Sequence, residues 1–216
     1  MANVWSKVAV AMQTTLATAI TVGAGGVTKA DPGVVTYTGT DPSNGDYVLC
    51  TSAVGMTQLN NRVFRVANVN AGSNTFELEG EDTTDYDTMV SANFQVITFG
   101  ASFSTMLDIS VSGGEAASIT STTIHDDIDQ EEVGNFSPII ISSNLQWDPS
   151  DAAQVACREA SNIKASRAFK FTFADGKKWL PYGAVAFVHA PTGSAQQVVQ
   201  TPLSIRVKGR TTVYSA

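Results

Sequence analysis

Between Leu145 and Phe173 the chain switches from a helical period to a strand period, and this switch narrows its possible folds most. Ala152, Val155, Ala156, Ala160 and Ile163 recur at three- and four-residue steps, which predicts one amphipathic helix with an apolar stripe. Asp148 is the expected N-cap and Pro149 the first helical residue. Asp151 falls three residues after that cap, near the positive end of the helix dipole. The helix is expected to end near Ala165. Phe169-Lys170-Phe171-Thr172-Phe173 then alternates strictly, so three phenylalanines share one face of a strand. The implied unit is one helix lying on a sheet, with Trp147, Val155, Ile163, Phe169, Phe171 and Phe173 packed in its core.

The rest of the chain reads as short strands and turns, which makes the fold class mainly β (α+β). Only 15% of residues are charged, too few for long solvated helices, while Thr, Ser, Gly and Asn are frequent. The net charge of −7 argues against gripping a nucleic acid, which needs a basic face. The local basic group Lys164, Arg167, Lys170, Lys177 and Lys178 reads as a solvated helix end and turn. Cys50 and Cys157 fit neither a disulfide framework nor a zinc spacing. They read as reduced, buried thiols, compatible with a cytoplasm. No apolar run is long enough to span a bilayer, so no membrane insertion is expected. Lys7 ahead of Val8-Ala9-Val10-Ala11-Met12 imitates a signal peptide, but Gln13-Thr14-Thr15 interrupts it.

Candidate chemistry is sparse. His125 and His189 are the two histidines, and no nucleophile elbow, Walker motif or metal-binding helix accompanies them. No enzymatic activity and no cofactor are expected. Gly23, Gly25 and Gly26 lack the Lys-Ser/Thr ending of a phosphate loop and read as a hinge. Glu81-Asp82-Thr83-Thr84-Asp85-Tyr86-Asp87 either holds calcium or is a solvated linker. It lacks the glycine and terminal glutamate of an EF-hand, which favours the linker. The densest charge run is His125-Asp126-Asp127-Ile128-Asp129-Gln130-Glu131-Glu132. It has three readings: a metal site, an exposed loop kept extended by repulsion, or a loop that orders against a neighbouring subunit.

Residues 27–90 have their own texture of short strands and tight turns, with Val63, Phe64, Val66, Val69, Phe76 and Leu78 as a small core. Lys29-Ala30-Asp31-Pro32-Gly33-Val34-Val35-Thr36-Tyr37, Asn44-Gly45-Asp46, Val54-Gly55-Met56-Thr57-Gln58-Leu59-Asn60 and Asn74-Thr75-Phe76-Glu77-Leu78 carry a resemblance. The segment resembles a small β module of phage virion proteins, named for its likeness to the first catalytic-cysteine half-domain of ubiquitin-activating enzyme. The resemblance implies a structural or binding accessory without ubiquitin chemistry, and Cys50 reads as a buried small hydrophobe.

A second resemblance covers residues 96–209 and the first twenty residues. Its motifs are Gly113-Gly114-Glu115-Ala116, Thr122-Thr123, His125-Asp126 and Leu145-Gln146-Trp147-Asp148-Pro149-Ser150-Asp151. After the helix come Phe169-Lys170-Phe171-Thr172-Phe173-Ala174-Asp175-Gly176, Tyr182-Gly183-Ala184-Val185-Ala186-Phe187-Val188 and Leu203-Ser204-Ile205-Arg206-Val207-Lys208-Gly209. In their order these resemble the tail-tube (major tail) proteins of long, flexible-tailed phages. The resemblance implies a β-sandwich or barrel of two packed sheets with one flanking helix, formed by residues 1–21 and 92–216. Residues 22–91 depart from it and would be a module inserted on the outer surface.

The same resemblance implies a virion protein that forms hexameric rings stacked into a tube, through which genome DNA passes without specific binding. Its partners would be further copies of itself and the tape measure, tail terminator and tail tip proteins. His125, Asp126, Asp127, Asp129, Glu131 and Glu132 are placed in a loop that reaches the next subunit or ring. Six copies at −7 each would bring −42 to a ring, and an acidic bore would repel duplex DNA. The alternative is a phage or cell-surface adhesin that binds carbohydrate through Tyr37, Tyr47 and Tyr86 of the inserted segment.

Overall fold

A computed structural model of the chain describes residues 7–125 and 127–215. Asp126 and the first six residues, which enter the readings above, lie outside the described residues. The described residues are mainly β, with one α-helix, several antiparallel sheets and no closed barrel among them. In chain order the first half comprises β1 (Ala9–Met12), β2 (Thr15–Leu16), β3 (Ile20–Val22), β4 (Val34–Thr36), β5 (Tyr47–Val54), β6 (Arg62–Asn70), β7 (Thr75–Leu78), β8 (Ser91–Thr98) and β9 (Ala101–Phe103). The second half comprises β10 (Ser110–Ser112), β11 (Ala116–Thr120), β12 (Glu131–Phe136), β13 (Ile140–Gln146), α1 (Ala152–Asn162), β14 (Ser166–Thr172), β15 (Lys178–Leu180), β16 (Tyr182–Phe187), β17 (Gln200–Val207) and β18 (Thr212–Tyr214).

The larger sheet runs β10-β13-β17-β16-β14-β1-β9, with β15 and β18 joined through β14. It folds over at β14, which pairs with β16 through Ser166–Ala168 and with β1 through Phe169–Thr172. The helix packs on β16 and β9 and closes the space between the two halves. Alternation on β13 and β17 turns Ile141, Leu145, Leu203, Ile205 and Val207 inward, where they meet Val10, Met12, Phe169, Phe171, Val185 and the helix. The result is a sandwich rather than a barrel. Pairing never runs from β9 back to β10, so both borders stay open. Ser143, a polar residue on the inward face of β13, is satisfied by donating to the Asp108 carbonyl at 2.7 Å.

The helix differs from its sequence expectation at both ends and in its rotation. Asp151 is the N-cap: its Oδ1 accepts the Gln154 N–H at 2.9 Å. Asp148 spends its carboxylate earlier, accepting the Ser150 N–H at 2.9 Å and the Ser150 hydroxyl at 2.6 Å, so Pro149 belongs to a turn. At the other end Lys164 takes φ 53°, its N–H donates to the Ser161 carbonyl, and the Ala165 N–H donates to that of Ala160. This paired closure stops the helix at Asn162. The buried face is Ala153, Gln154, Cys157 and Ala160. Ile163 is 69% exposed and does not belong to the core, because it sits at the cap rather than on the stripe.

What turns the helix is Gln154, which is fully buried. Its Nε2 donates to the Gln146 carbonyl at 2.6 Å and to the Thr105 hydroxyl at 3.1 Å, and its Oε1 accepts the Asp148 N–H. These bonds fix the helix start to the chain on either side and place Cys157 Sγ 3.8 Å from Met12 Sδ of β1. Val155 and Trp147 are half-buried; Phe169 and Phe171 are fully buried. Phe173 lies beyond the last residue of β14 and is half-buried at the margin of this core.

The second sheet runs β2-β8-β5-β6-β7-β4, with β3 also on β8. Its core holds Phe64, Phe76, Phe94, Val35, Val48, Met56, Leu59 and Leu78, and the Phe76 and Phe94 rings meet edge to face at 5.9 Å. Residues 81–87 are not a solvated linker. Glu81 is buried, pairs with both Nη atoms of Arg62 and accepts the Tyr86 hydroxyl at 2.7 Å. The Thr83 hydroxyl is also buried and lies against the Thr28 and Ala30 carbonyls. Of the acids here Glu81 is part of a core pair, while Asp82, Asp85 and Asp87 are exposed. Residues 23–26 are likewise an ordered turn: the Gly25 N–H donates to Met89, and a Cβ on Gly26 would meet Val22 at 2.6 Å.

A third cluster, Leu49, Val63, Ile97, Ala168, Leu180 and Tyr214, joins the two sheets. β18 pairs with β15 of the larger sheet, while its Thr212 hydroxyl donates to the Val63 carbonyl of β6. Lys170 Nζ stands 4.9 Å from the Phe99 ring centroid and 5.5 Å from that of Tyr47, so this lysine is packed between rings at the junction rather than solvated.

Candidate assembly surface

β11 and β12 form a two-stranded sheet of their own that stands off the body. Gly113 and Gly114 set its root, both with positive φ, 82° and 83°. A Cβ on Gly113 would lie 2.2 Å from the Pro138 carbonyl oxygen, so backbone conformation and close approach both demand glycine there. Ser137 ties the other side: its N–H donates to the Glu115 carbonyl and its carbonyl accepts the Gly114 N–H. Nearly every residue of both strands is exposed.

The hairpin is nonetheless apolar on both faces. Ser118 pairs with Val133, and past a bulge Ala116 pairs with Phe136, which puts Val133 and Phe136 on one face. Ile119 pairs with Glu132 on the other face and lies against Gly134. Val133 is 78% exposed and Phe136 65%, and Phe136 is the one exposed aromatic residue among the described residues. Ile124 and Ile128, near the tip, are 97% and 79% exposed. A two-stranded ribbon is marginal in water, and one with unburied isoleucine and phenylalanine is unfinished in a single chain.

Among the expected site residues, His125, Asp127 and Asp129 lie at the tip and are exposed; Asp126 lies outside the described residues. Glu131 and Glu132 are not in the loop. They begin β12, opposite Thr120 and Ile119, because the Gln130 carbonyl is already taken by the Ser121 N–H. Among the described residues no three His, Cys, Asp or Glu side chains converge as a metal site. In sequence the charges of this segment stand out over Ile119, Ile124, Ile128, Val133 and Phe136. Their signal was present as bulky apolar residues scattered among acids and serines, without the period that marks a core.

Other reactive groups are turned inward. Burial pushes both the Cys50 and Cys157 thiols up to about 12, from an ordinary 9.0, which keeps them protonated. The tyrosines proposed to bind sugar are engaged elsewhere. Tyr37 packs on Phe76 and donates to Asp41 at 2.8 Å, Tyr47 meets Phe99 edge to face, and Tyr86 completes the Arg62–Glu81 pair.

An open-bordered sandwich with an unburied apolar hairpin has the make-up of a structural β protein. A family model described as phage tail tube protein matches residues 54–216, and the chain belongs to that family. It is therefore a structural component of the phage tail and of the virion. No curated protein matches the chain. Among the described residues no helix is long and apolar enough to cross a membrane.

Proposed function

We propose that the chain polymerises as stacked hexameric rings into the tail tube, the conduit through which genome DNA leaves the virion. The observation that carries this reading is the hairpin β11–β12, with Val133 and Phe136 on one face and Ile119 on the other, all largely exposed. Neighbouring copies bury those faces, and β10 and β9, the two open borders of the larger sheet, are the places where sheets join between copies. Assembly takes place in the host cytoplasm, with the tape measure, terminator and tail tip proteins setting length and ends. The net charge of −7 per copy favours a passage that repels duplex DNA and lets it slide. Residues 22–91, which resemble the ubiquitin-activating-enzyme-like virion module, ride on the outer wall, where they leave the bore clear.

Negative-stain microscopy of the concentrated, purified chain tests the proposal. Hollow, regularly striated tubes with six-fold end views are expected. Replacing Val133 and Phe136 together with aspartate should leave a folded monomer that forms none. Tubes from that variant, or a parent chain that stays monomeric at high concentration, would overturn the reading.

A further inference from the structure

We infer that the hairpin tip of one copy docks in a groove at the hairpin root of a second copy. The inference rests on the polymerising reading above and names the two surfaces that meet. The groove has a volume of about 680 Å3 and lies where the root of β12 and β13 faces the turn around Thr57 and Asn60. Phe136, Pro138, Ile139 and Val207 form its apolar wall, and Arg210 lines it with an exposed side chain. An apolar wall beside one guanidinium suits an apolar knob flanked by carboxylates.

The charges of the chain specify that knob. Residues 66–157 hold 15 of the 20 acids and none of the 13 cations, and the hairpin lies wholly within them. The remainder, with 13 cations against 5 acids, is basic. Arg206, Lys208 and Arg210 alternate along the end of β17 and just past it, and all are exposed. Among the described residues the ion pairs are Arg62–Glu81, Arg65–Glu79 and Lys177–Asp175. Neither the tip acids nor this basic run is neutralised there. Ile128 between Asp127 and Asp129 has the chemistry the groove lacks.

Geometry requires a second copy. β11 carries the chain from Ala116 to Thr120, roughly 13 Å along the strand, and Ile124 and Ile128 lie beyond its end, so the tip stands away from the groove at its own root. Tip and groove are different patches, so the contact is heterologous. Such contacts build rings or open stacks and do not close on themselves as a two-fold dimer does.

Disulfide trapping in assembled tubes tests the contact. The double variant Ile128→Cys, Thr211→Cys adds two surface thiols to a chain whose own cysteines are buried. After assembly and mild oxidation, a non-reducing gel should show a ladder of dimer, trimer and higher species. Tubes that yield only monomer would overturn the docking and leave the polymerising reading standing. Charge exchange gives a second measurement. Arg210→Glu should raise the protein concentration needed for assembly by roughly tenfold or more, and adding Asp127→Lys and Asp129→Lys should bring it back. Arg210→Glu assembling like the parent chain would also overturn the docking. Absence of tubes from the parent chain would remove both readings.

Discussion

Tyr214 of β18 accepts the backbone N–H of Arg65 of β6 on its phenolic oxygen, at 2.7 Å. The Arg65 guanidinium then folds back over the same tyrosine, 4.9 Å above the ring centroid, and pairs with Glu79 through two bonds. One side chain thus joins β18, the outer strand of the branch that leaves the larger sheet at β14, to the middle of the second. Burial pushes the Tyr214 hydroxyl up to about 12, so the phenol stays neutral throughout the working pH range. Tyr214→Phe keeps the ring but strips the acceptor from a buried N–H. Urea unfolding should show a loss of about 1–2 kcal/mol. Thr212→Val, which deprives the Val63 carbonyl of its donor, should cost a similar amount by the same measurement.

Gln154 and Ile163 make a contrasting pair. Gln154→Leu leaves the Gln146 carbonyl, the Thr105 hydroxyl and the Asp148 N–H without their partner. A loss of about 2–4 kcal/mol is expected from equilibrium unfolding. Ile163→Ala removes a larger apolar group from an exposed cap and should change stability by no more than about 0.5 kcal/mol. Equal losses from the two substitutions would contradict the observed rotation of the helix.

The Arg62–Glu81 pair is buried and further held by Tyr86. Arg62 also lies 4.9 Å above the Phe64 ring. Glu81→Gln leaves the guanidinium charge buried with a neutral partner. About 3 kcal/mol should be lost, visible in calorimetry as a lower transition temperature. Arg62→Met with Glu81→Leu, which removes both charges and keeps the volume, should recover most of that loss.

Both thiols should resist modification. With pKa values raised to about 12, the thiolate fraction at pH 8 is about one in ten thousand, and burial blocks access besides. A thiol reagent at pH 8 should therefore modify neither cysteine in the native chain and both after denaturation. The sign follows from the raised value: reactivity appears only as pH climbs toward 12 or as the fold opens. Rapid labelling of the folded chain would show that one of these sites opens to solvent.

The sequence determined by itself the features that depend on neighbours along the chain. Alternation marked Phe169 and Phe171 as inward, the Ala174-Asp175-Gly176-Lys177 turn closed with the Phe173 N–H on the Lys177 carbonyl, and one helix stood among strands. Short-range periods and turn chemistry carry that information, because a strand face and a cap are settled within a few residues. Tertiary structure alone decided the rest. It rotated the helix, because Gln154 found its partners at Thr105 and Gln146, and it made Asp148 a turn residue rather than a cap. It buried Glu81 and Thr83 in a stretch that reads as a soluble linker, because Arg62 and the carbonyls of residues 28 and 30 lay opposite. It also left Val133 and Phe136 in water. No local pattern separates an apolar residue that packs on its own chain from one that awaits another; only the position of every other strand does.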